Sequence, residues 1–302
     1  MLIAIVPDGL AGLRADLGTA RLFGLSRSQV EQAAERGGLS IDGKVVAKSE
    51  LLRAGAMVEV DIEQSRPIEV NPSLVEGMAI AYQDADIVVV DKPSGVAAHP
   101  SLGWEGPTVL EHLLAAGISL SEYGPAERQG IVSRLDVGTS GLMVLARSNP
   151  AYVHLKAAFR ERQVNKVYHT LVQGYPDPDE GTIDAPIGHA RTGEWKMAID
   201  PAGRAALTHY SRLETVAKAT LLRIKLETGR THQIRVHMAA IHHPCVGDLL
   251  YGADPVLTEQ VNLKRQWLHA VELGLQHPRS GQMMTFTSSY PEDLAQALDI
   301  LR

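Results

Sequence analysis

The run Leu142-Met143-Val144-Leu145-Ala146, opened by Gly138 and Gly141, restricts the fold more than any other stretch of this chain. Five consecutive apolar residues behind turn-formers are too short for an ordinary helix and read as a buried core strand. Ile131-Val132, bounded by Gly130, reads the same way. Between the two runs stands Arg134-Leu135-Asp136. In an extended segment Arg134 and Asp136 share one side and Leu135 takes the other. Two opposite charges therefore stand at the mouth of the core, with an apolar anchor between them.

Elsewhere, strands are predicted at Ile87 to Val90, Lys166 to Val172, Thr220 to Leu226 and around Trp267 to Leu273. Helical patterns cover Thr108 to Ala116, Pro150 to Arg162 and Thr231 to Ile241. Helices and strands do not alternate regularly, which disfavours a doubly wound parallel sheet and favours an α+β architecture. Residues 1–64 read as a small helix-helix-strand module. Its second helix is capped by Ser26 or Ser28 and stopped by Gly37-Gly38, Asp42-Gly43 makes a hairpin turn, and Val58 to Ile62 alternates as a strand. Residues 65–77, with Pro67 and Pro72, read as a linker, and 78–302 as the main domain.

At 302 residues and 45% hydrophobic content the chain can bury a full core. No apolar run approaches the roughly 18 to 20 residues of a membrane span, and Met1 to Val6 lacks the basic start and length of a signal peptide. One cysteine, Cys245, rules out an intramolecular disulfide. A cytoplasmic monomer with no membrane partner is expected. The net charge of -6 argues against a protein that simply coats nucleic acid. Locally the balance reverses: Arg134 to Lys166 carries six Lys or Arg against two acids, and so does Arg212 to Arg235. If folding joins these stretches, they form a basic face suited to a phosphate backbone; solvated helix and strand faces would show the same count.

The stretch "LETGRTHQIRVHMAAIHHPCVGD" is dense in polar groups for a chain that is 21% charged. Arg230 follows a Thr-Gly turn and is expected to pair with Asp136, a pairing that either serves chemistry or only ties two loops together. His232 and His237 are five apart and do not share a helix face, so a zinc site with His242, His243 or Cys245 is disfavoured and no metal is expected. No phosphate-cradling glycine loop, dinucleotide fingerprint, nucleophile elbow or His-Glu-x-x-His occurs. Tyr168 alternates with Lys166 and Thr170 on one strand face, where it is either a half-buried core ring or a platform for an unpaired base.

The ordered segments "VDKPSGVAAHP", "GIVSRLDVGTSGLMVLARS", "NKVYHTLVQG", "LETGRTHQIRVHMAAIHHPCVGDLLYG" and "WLHAVELGLQHPRSG" resemble pseudouridine synthases of the RluA/RluD type, over most of residues 78–290. The first module resembles the S-four-type RNA-binding domain. The resemblance implies a mixed, largely antiparallel sheet with flanking helices, and an isomerase that converts uridine to pseudouridine in structured RNA. It implies large-subunit ribosomal RNA as the substrate, with transfer RNA the alternative. Asp136 matches the catalytic aspartate, Arg230 its arginine partner and Tyr168 the ring against the target uracil. Arg134 matches the residue that enters the stack when the base is flipped out, and Leu268 a wall of the uracil pocket. Ser26 and Arg27 match the module's phosphate-facing surface. Two departures stand out: Ser133 replaces the family's usual histidine before Arg-Leu-Asp, and Ala15 stands in Arg14-Ala15-Asp16 where leucine is usual.

The isomerisation neither oxidises, reduces nor hydrolyses overall, so no cofactor is expected. The carboxylate would act as a nucleophile or as a base, and the residues do not choose between them. A non-catalytic RNA-binding or ribosome-assembly factor is the rival reading, with Ser133 its support. A carboxylate glycosidase would need a second acid, and none stands out.

Overall fold

The computed structural model describes residues 1–62, 68–190 and 196–302. The chain divides into two compact units, Met1–Pro67 and Ile68–Arg302. In the first, strands β1 (Leu2–Ile5), β2 (Leu39–Ile41), β3 (Lys44–Val45) and β4 (Met57–Val60) form an antiparallel sheet in the order β1-β4-β2-β3. Helices α1 (Ala15–Phe23) and α2 (Arg27–Glu35) pack on it through Ala15, Val30 and Ala33, against Leu39, Leu52 and Val58. Asp42 and Gly43 both take positive φ, 50° and 74°, as the tight hairpin requires. Strand β1 is an addition to the expected helix-helix-strand order; its apolar residues are mostly exposed, which concealed its period.

Asp16 is fully buried in this unit and receives hydrogen bonds from Arg14 and Arg27. Burial pushes its carboxyl up, but the two guanidiniums outweigh it and hold the pKa at about 2. A carboxyl whose folded pKa lies below its unfolded value stabilises the fold above the unfolded pKa, and that contribution is lost as pH falls through the folded one. Amides of α1 and α2 are therefore expected to exchange faster as pH falls from about 4 to 2, beyond the intrinsic pH effect. Protection unchanged across that window would show that the pair contributes nothing.

In the second unit the described strands form a nine-stranded sheet. They are β5 (Ala79–Gln83), β6 (Ile87–Lys92), β7 (Ser140–Ala146), β8 (Asn165–Gln173), β9 (Glu180–Asp184), β12 (Leu207–Val216), β13 (Ala219–Leu226), β14 (Leu268–Gln276) and β15 (Met283–Thr287). The order is β5-β6-β7-β14-β8-β13-β12-β9, with β15 on β14. Only the β7–β14 pair is parallel, so the sheet is mixed and largely antiparallel, as the resemblance implied. A separate ribbon pairs β10 (Ile187–His189) with β11 (Met197–Ile199). Helices α3 (Val109–Ala115), α4 (Asn149–Arg160), α5 (Gln233–Ala240), α6 (Pro255–Gln260) and α7 (Glu292–Leu301) flank the sheet. No helix among the described residues is long and apolar enough to cross a membrane.

Three expectations need correction. Ile131-Val132 is not a strand: Ile131 makes a single bridge to Leu145, and Gly130 accepts from Ala146, so the chain crosses the end of β7 instead of running along it. Residues 68–77 belong to the second unit. The Asn71 and Val75 amides donate to Glu111 and His112 of α3, which pins the segment, while 65–67 and the boundary at 64 lie outside the described residues. Helix α5 starts at Gln233 because His232 is left-handed, at φ 55°.

Every residue of β7 is buried. Its parallel partner approaches so closely that a Cβ on Gly141, whose φ is 112°, would lie 2.4 Å from the Ala270 carbonyl oxygen. Gly141→Ala combines steric overlap with a disfavoured backbone and is expected to cost about 3 kcal/mol. An unchanged urea midpoint would refute that reading of the β7–β14 contact.

Candidate active site

The loop before β7 presents Arg134, Leu135 and Asp136 in the alternation that the sequence suggests. Leu135 is buried in the cluster with Val90, Met143 and Ala270, Arg134 is exposed, and the Asp136 side chain keeps 17% of its surface. The loop is held from several directions. The Thr139 amide donates to the Asp136 carbonyl, Gln266 donates to the Thr139 hydroxyl at 3.1 Å, and Arg265 donates to the Gly138 carbonyl at 3.1 Å. Arg265 is in turn fixed by two bonds to Asp293, at 2.6 and 2.9 Å.

From below, Lys92 at the end of β6 is fully buried, and its ammonium donates to the carbonyls of Pro93, Val96 and Val137. Burial, with Arg265 adding to it and Asp136 opposing, pushes the Lys92 ammonium down to about 7. The sequence reading passed over Lys92. Its signal was a lysine closing the apolar run Ile87-Val88-Val89-Val90 just before a proline.

Arg134, Asp136, Tyr168, Arg230 and Leu268, drawn from four separate stretches, line one pocket. Arg134 donates to the Thr231 hydroxyl at 3.1 Å, which ties the Asp136 loop to the segment before α5. Tyr168 rises from β8, where burial, reinforced by Asp136, pushes its phenol up, so the ring stays neutral. Leu268, on the neighbouring β14, is 3% exposed.

The expected Arg230–Asp136 pair is not formed. Arg230 donates to the Ala205 carbonyl at 2.9 Å, and the cation beside Asp136 is Arg235, with Nη1 3.7 Å from Oδ2. The reason is positional. Arg230 precedes α5 in a loop organised by Gln233, whose amide oxygen accepts from the Thr228 hydroxyl and the Arg230 amide. Arg235 lies inside the first turn of α5, where two bonds to buried Asp248, at 2.6 and 2.9 Å, and the Tyr251 ring 4.8 Å away lock its guanidinium. No described side chain hydrogen-bonds the Asp136 carboxylate, so its lone pairs face the pocket beside a fixed positive charge.

Beside this pocket runs a groove lined by Arg134, Lys156, Arg160, Arg162, Lys166 and Arg230, with Glu227 the one acid among its described residues. Folding therefore joins the first basic stretch of the sequence to Arg230 of the second. In the first unit, the Ser26 hydroxyl caps α2 in a reciprocal bond pair with Gln29, and half-exposed Arg27 neutralises Asp16 and contacts Glu31.

The histidines have local partners. His232 bonds the Tyr251 hydroxyl, His237 bonds the Thr208 hydroxyl and the Ala185 carbonyl, and His243 bonds the Gln173 carbonyl, while His242 is exposed. Buried Cys245 lies 3.2 Å from the Thr170 hydroxyl, and burial pushes its thiol up to about 12. Asp84, Asp86 and His277 cluster tightly at the other end of β6. There the Arg279 guanidinium sits on Asp86 and His277 bonds Asp84, so each carboxylate already has a side-chain partner.

The family profile described as RNA pseudouridylate synthase matches residues 86–240, which hold the Asp136 loop, Tyr168 and Arg235. The chain is 57% identical to an uncharacterized RNA pseudouridine synthase of Mycobacterium bovis, over 98% of this chain and 97% of that one. It is 40% identical to ribosomal large subunit pseudouridine synthase D of Pseudomonas aeruginosa, over 99% of this chain and 95% of that one. Among solved structures, human RNA pseudouridylate synthase domain containing 4 superimposes with a TM-score of 0.59 at 25% identity, covering 74% of this chain and 92% of that one. On this identity across its whole length, the chain belongs to the RluA-type family of RNA pseudouridine synthases.

Proposed function

We propose that this enzyme converts specific uridines of large-subunit ribosomal RNA to pseudouridine, with Asp136 as the group that reacts with the target nucleotide. One observation carries the reading: an Asp136 carboxylate with no hydrogen-bond donor among the described residues faces a pocket shared with Tyr168, between Arg134 and Arg230. The name of the Pseudomonas aeruginosa relative supports the choice of RNA. Transfer RNA is the second substrate to examine.

The reaction breaks the bond between sugar carbon 1′ and uracil nitrogen 1, turns the held base, joins carbon 5 to carbon 1′ and releases the carbon 5 proton, while nitrogen 1, freed from the sugar, takes up a proton. Asp136 serves as nucleophile toward sugar or base, or takes the 2′ proton. Arg235 supplies a fixed positive charge beside the carboxylate, held in place by Asp248 and not by the substrate. A base inside structured RNA must leave its stack to reach the carboxylate. Exposed Arg134 fills the gap, the Tyr168 ring receives the flipped uracil, and Leu268 walls the pocket. Arg230 sits where the substrate's phosphate or carbonyl enters. The first unit adds affinity as an S-four-type RNA-binding domain, with Ser26 and Arg27 at its RNA-facing helix start. The enzyme acts as a monomer in the cytoplasm and without a cofactor, because the isomerisation exchanges no electrons and no water.

The test is to incubate unmodified transcripts of large-subunit ribosomal RNA and of transfer RNA with the protein and to map pseudouridine by chemical adduct and primer extension. New pseudouridine at discrete large-subunit positions is the expected result. Modification confined to transfer RNA would overturn the substrate assignment.

A further inference from the structure

Helix α4 and the turn after it carry cations where the local structure disfavours them. Lys156 and Arg160 stand four apart on exposed helix surface, where like charges repel. Beyond Arg160 the helix closes by two bonds, from the Arg162 amide to the Phe159 carbonyl and from the Gln163 amide to the Ala158 carbonyl. That closure needs a left-handed residue at position 162, and Arg162 has φ 60°. Glycine is preferred there. Helices α2 and α3 end in the same way on Gly37 and Gly117, and α6 on Asn262, the other tolerated residue. Lys166, at the start of β8, is the fourth case. Burial pushes its ammonium down to about 8, and Arg162 and Arg230 push it the same way.

All four side chains line the groove beside the Asp136 pocket. Glu227, the acid of that groove, is already matched by Arg162 at 3.0 Å and His209 at 3.2 Å. His242 is left-handed too, at the end of α5 and outside this groove, so backbone conformation alone assigns no role; position does. A stripe of cations with the Phe159 and Tyr168 rings among them matches a single RNA strand, which presents one phosphate per nucleotide and a ring face on each base.

We propose that Lys156, Arg160, Arg162 and Lys166 form a phosphate rail for the RNA strand that flanks the target nucleotide, and that the left-handed backbone at Arg162 is retained because it holds a guanidinium on that rail. The inference rests on RNA being the substrate and adds where the flanking strand runs: along the end of α4, on the side of the pocket bounded by β8.

The test is Arg162→Gly in the full chain, with binding to an unmodified large-subunit ribosomal RNA transcript measured across a salt series. Glycine relieves the backbone, so thermal stability should be unchanged or higher. Affinity should nevertheless fall about tenfold at low salt, and the slope of log affinity against log salt should become shallower by about 0.7 to 0.9. Native affinity and slope in Arg162→Gly would overturn the rail. The substitution also leaves Glu227 without that partner, so Arg162→Gly/Glu227→Gln is measured beside it. A loss that persists supports the rail, and a return to native affinity overturns it. Lys156→Gln/Arg160→Gln, which leaves the backbone alone, should lower the slope by about two such increments; an unchanged slope would again overturn the proposal. Failure of the substrate reading looks different: the native chain itself would not bind the transcript, and the rail would fall with it.

Discussion

Asp136→Asn is expected to lose turnover by about a thousandfold or more while keeping the fold and the affinity for RNA. Asparagine matches the shape of the carboxylate, and no described hydrogen bond of the fold is made by its side chain. No described side chain hydrogen-bonds it, and Arg235, its nearest cation, is held independently by two bonds to Asp248. The backbone turn that places it uses the Asp136 carbonyl and not the side chain. Thermal unfolding and filter binding should therefore be close to native, with single-turnover pseudouridine formation carrying the whole loss. An asparagine variant that turns over at a tenth of the native rate would remove Asp136 from the chemistry.

Arg235→Ala is expected to be the most damaging single change to stability near the site, at about 3 to 5 kcal/mol, since it leaves the Asp248 carboxylate buried without its cation. It also removes the guanidinium from the face of Tyr251 and the positive charge 3.7 Å from Asp136, so activity should fall with stability. Arg230→Ala makes the contrast. The one hydrogen bond its guanidinium makes among the described residues is to the Ala205 carbonyl, at a partly exposed position, and its loss should cost about 1 kcal/mol or less. Urea unfolding of the two variants decides the order. A larger loss for Arg230→Ala would return the structural role to Arg230.

Much of the site could be read from the sequence because it is written in short local patterns. The alternation across Arg134-Leu135-Asp136, the apolar run of β7 and the strand face of Tyr168 are each set within a few residues. The partner of Asp136 was not legible in the same way. Arg230 and Arg235 are both arginines in one polar stretch, and what separates them is a left-handed His232 that starts α5 and an Asp248 that becomes a neighbour only in three dimensions. Lys92 and Arg265 were missed for a related reason: each holds the Asp136 loop from a distant element, through backbone carbonyls that carry no sequence signal.

The fold divides along the same line. Buried strands such as β6 and β7 declare themselves by uninterrupted apolar residues. By contrast β9 and β15 have alternate residues exposed and β5 is exposed along most of its length, so none of them shows the long run of large apolar residues that marks a buried strand. Ile131-Val132 misled in the opposite sense. Their burial is real or partial, yet they pack across the end of β7 without entering its ladder, and apolar character alone cannot distinguish the two.

The most direct test of the central claim, that this chain isomerises uridine within RNA, follows both products of the uracil. Large-subunit ribosomal RNA tritiated at uracil carbon 5 is incubated with the native protein, and released tritium, pseudouridine and free uracil are counted together. Tritium released one for one with pseudouridine, and no free uracil, is the expected result. Free uracil in place of pseudouridine would make the enzyme a glycosidase, and tight binding without tritium release would make it an RNA-binding factor; either outcome contradicts the account.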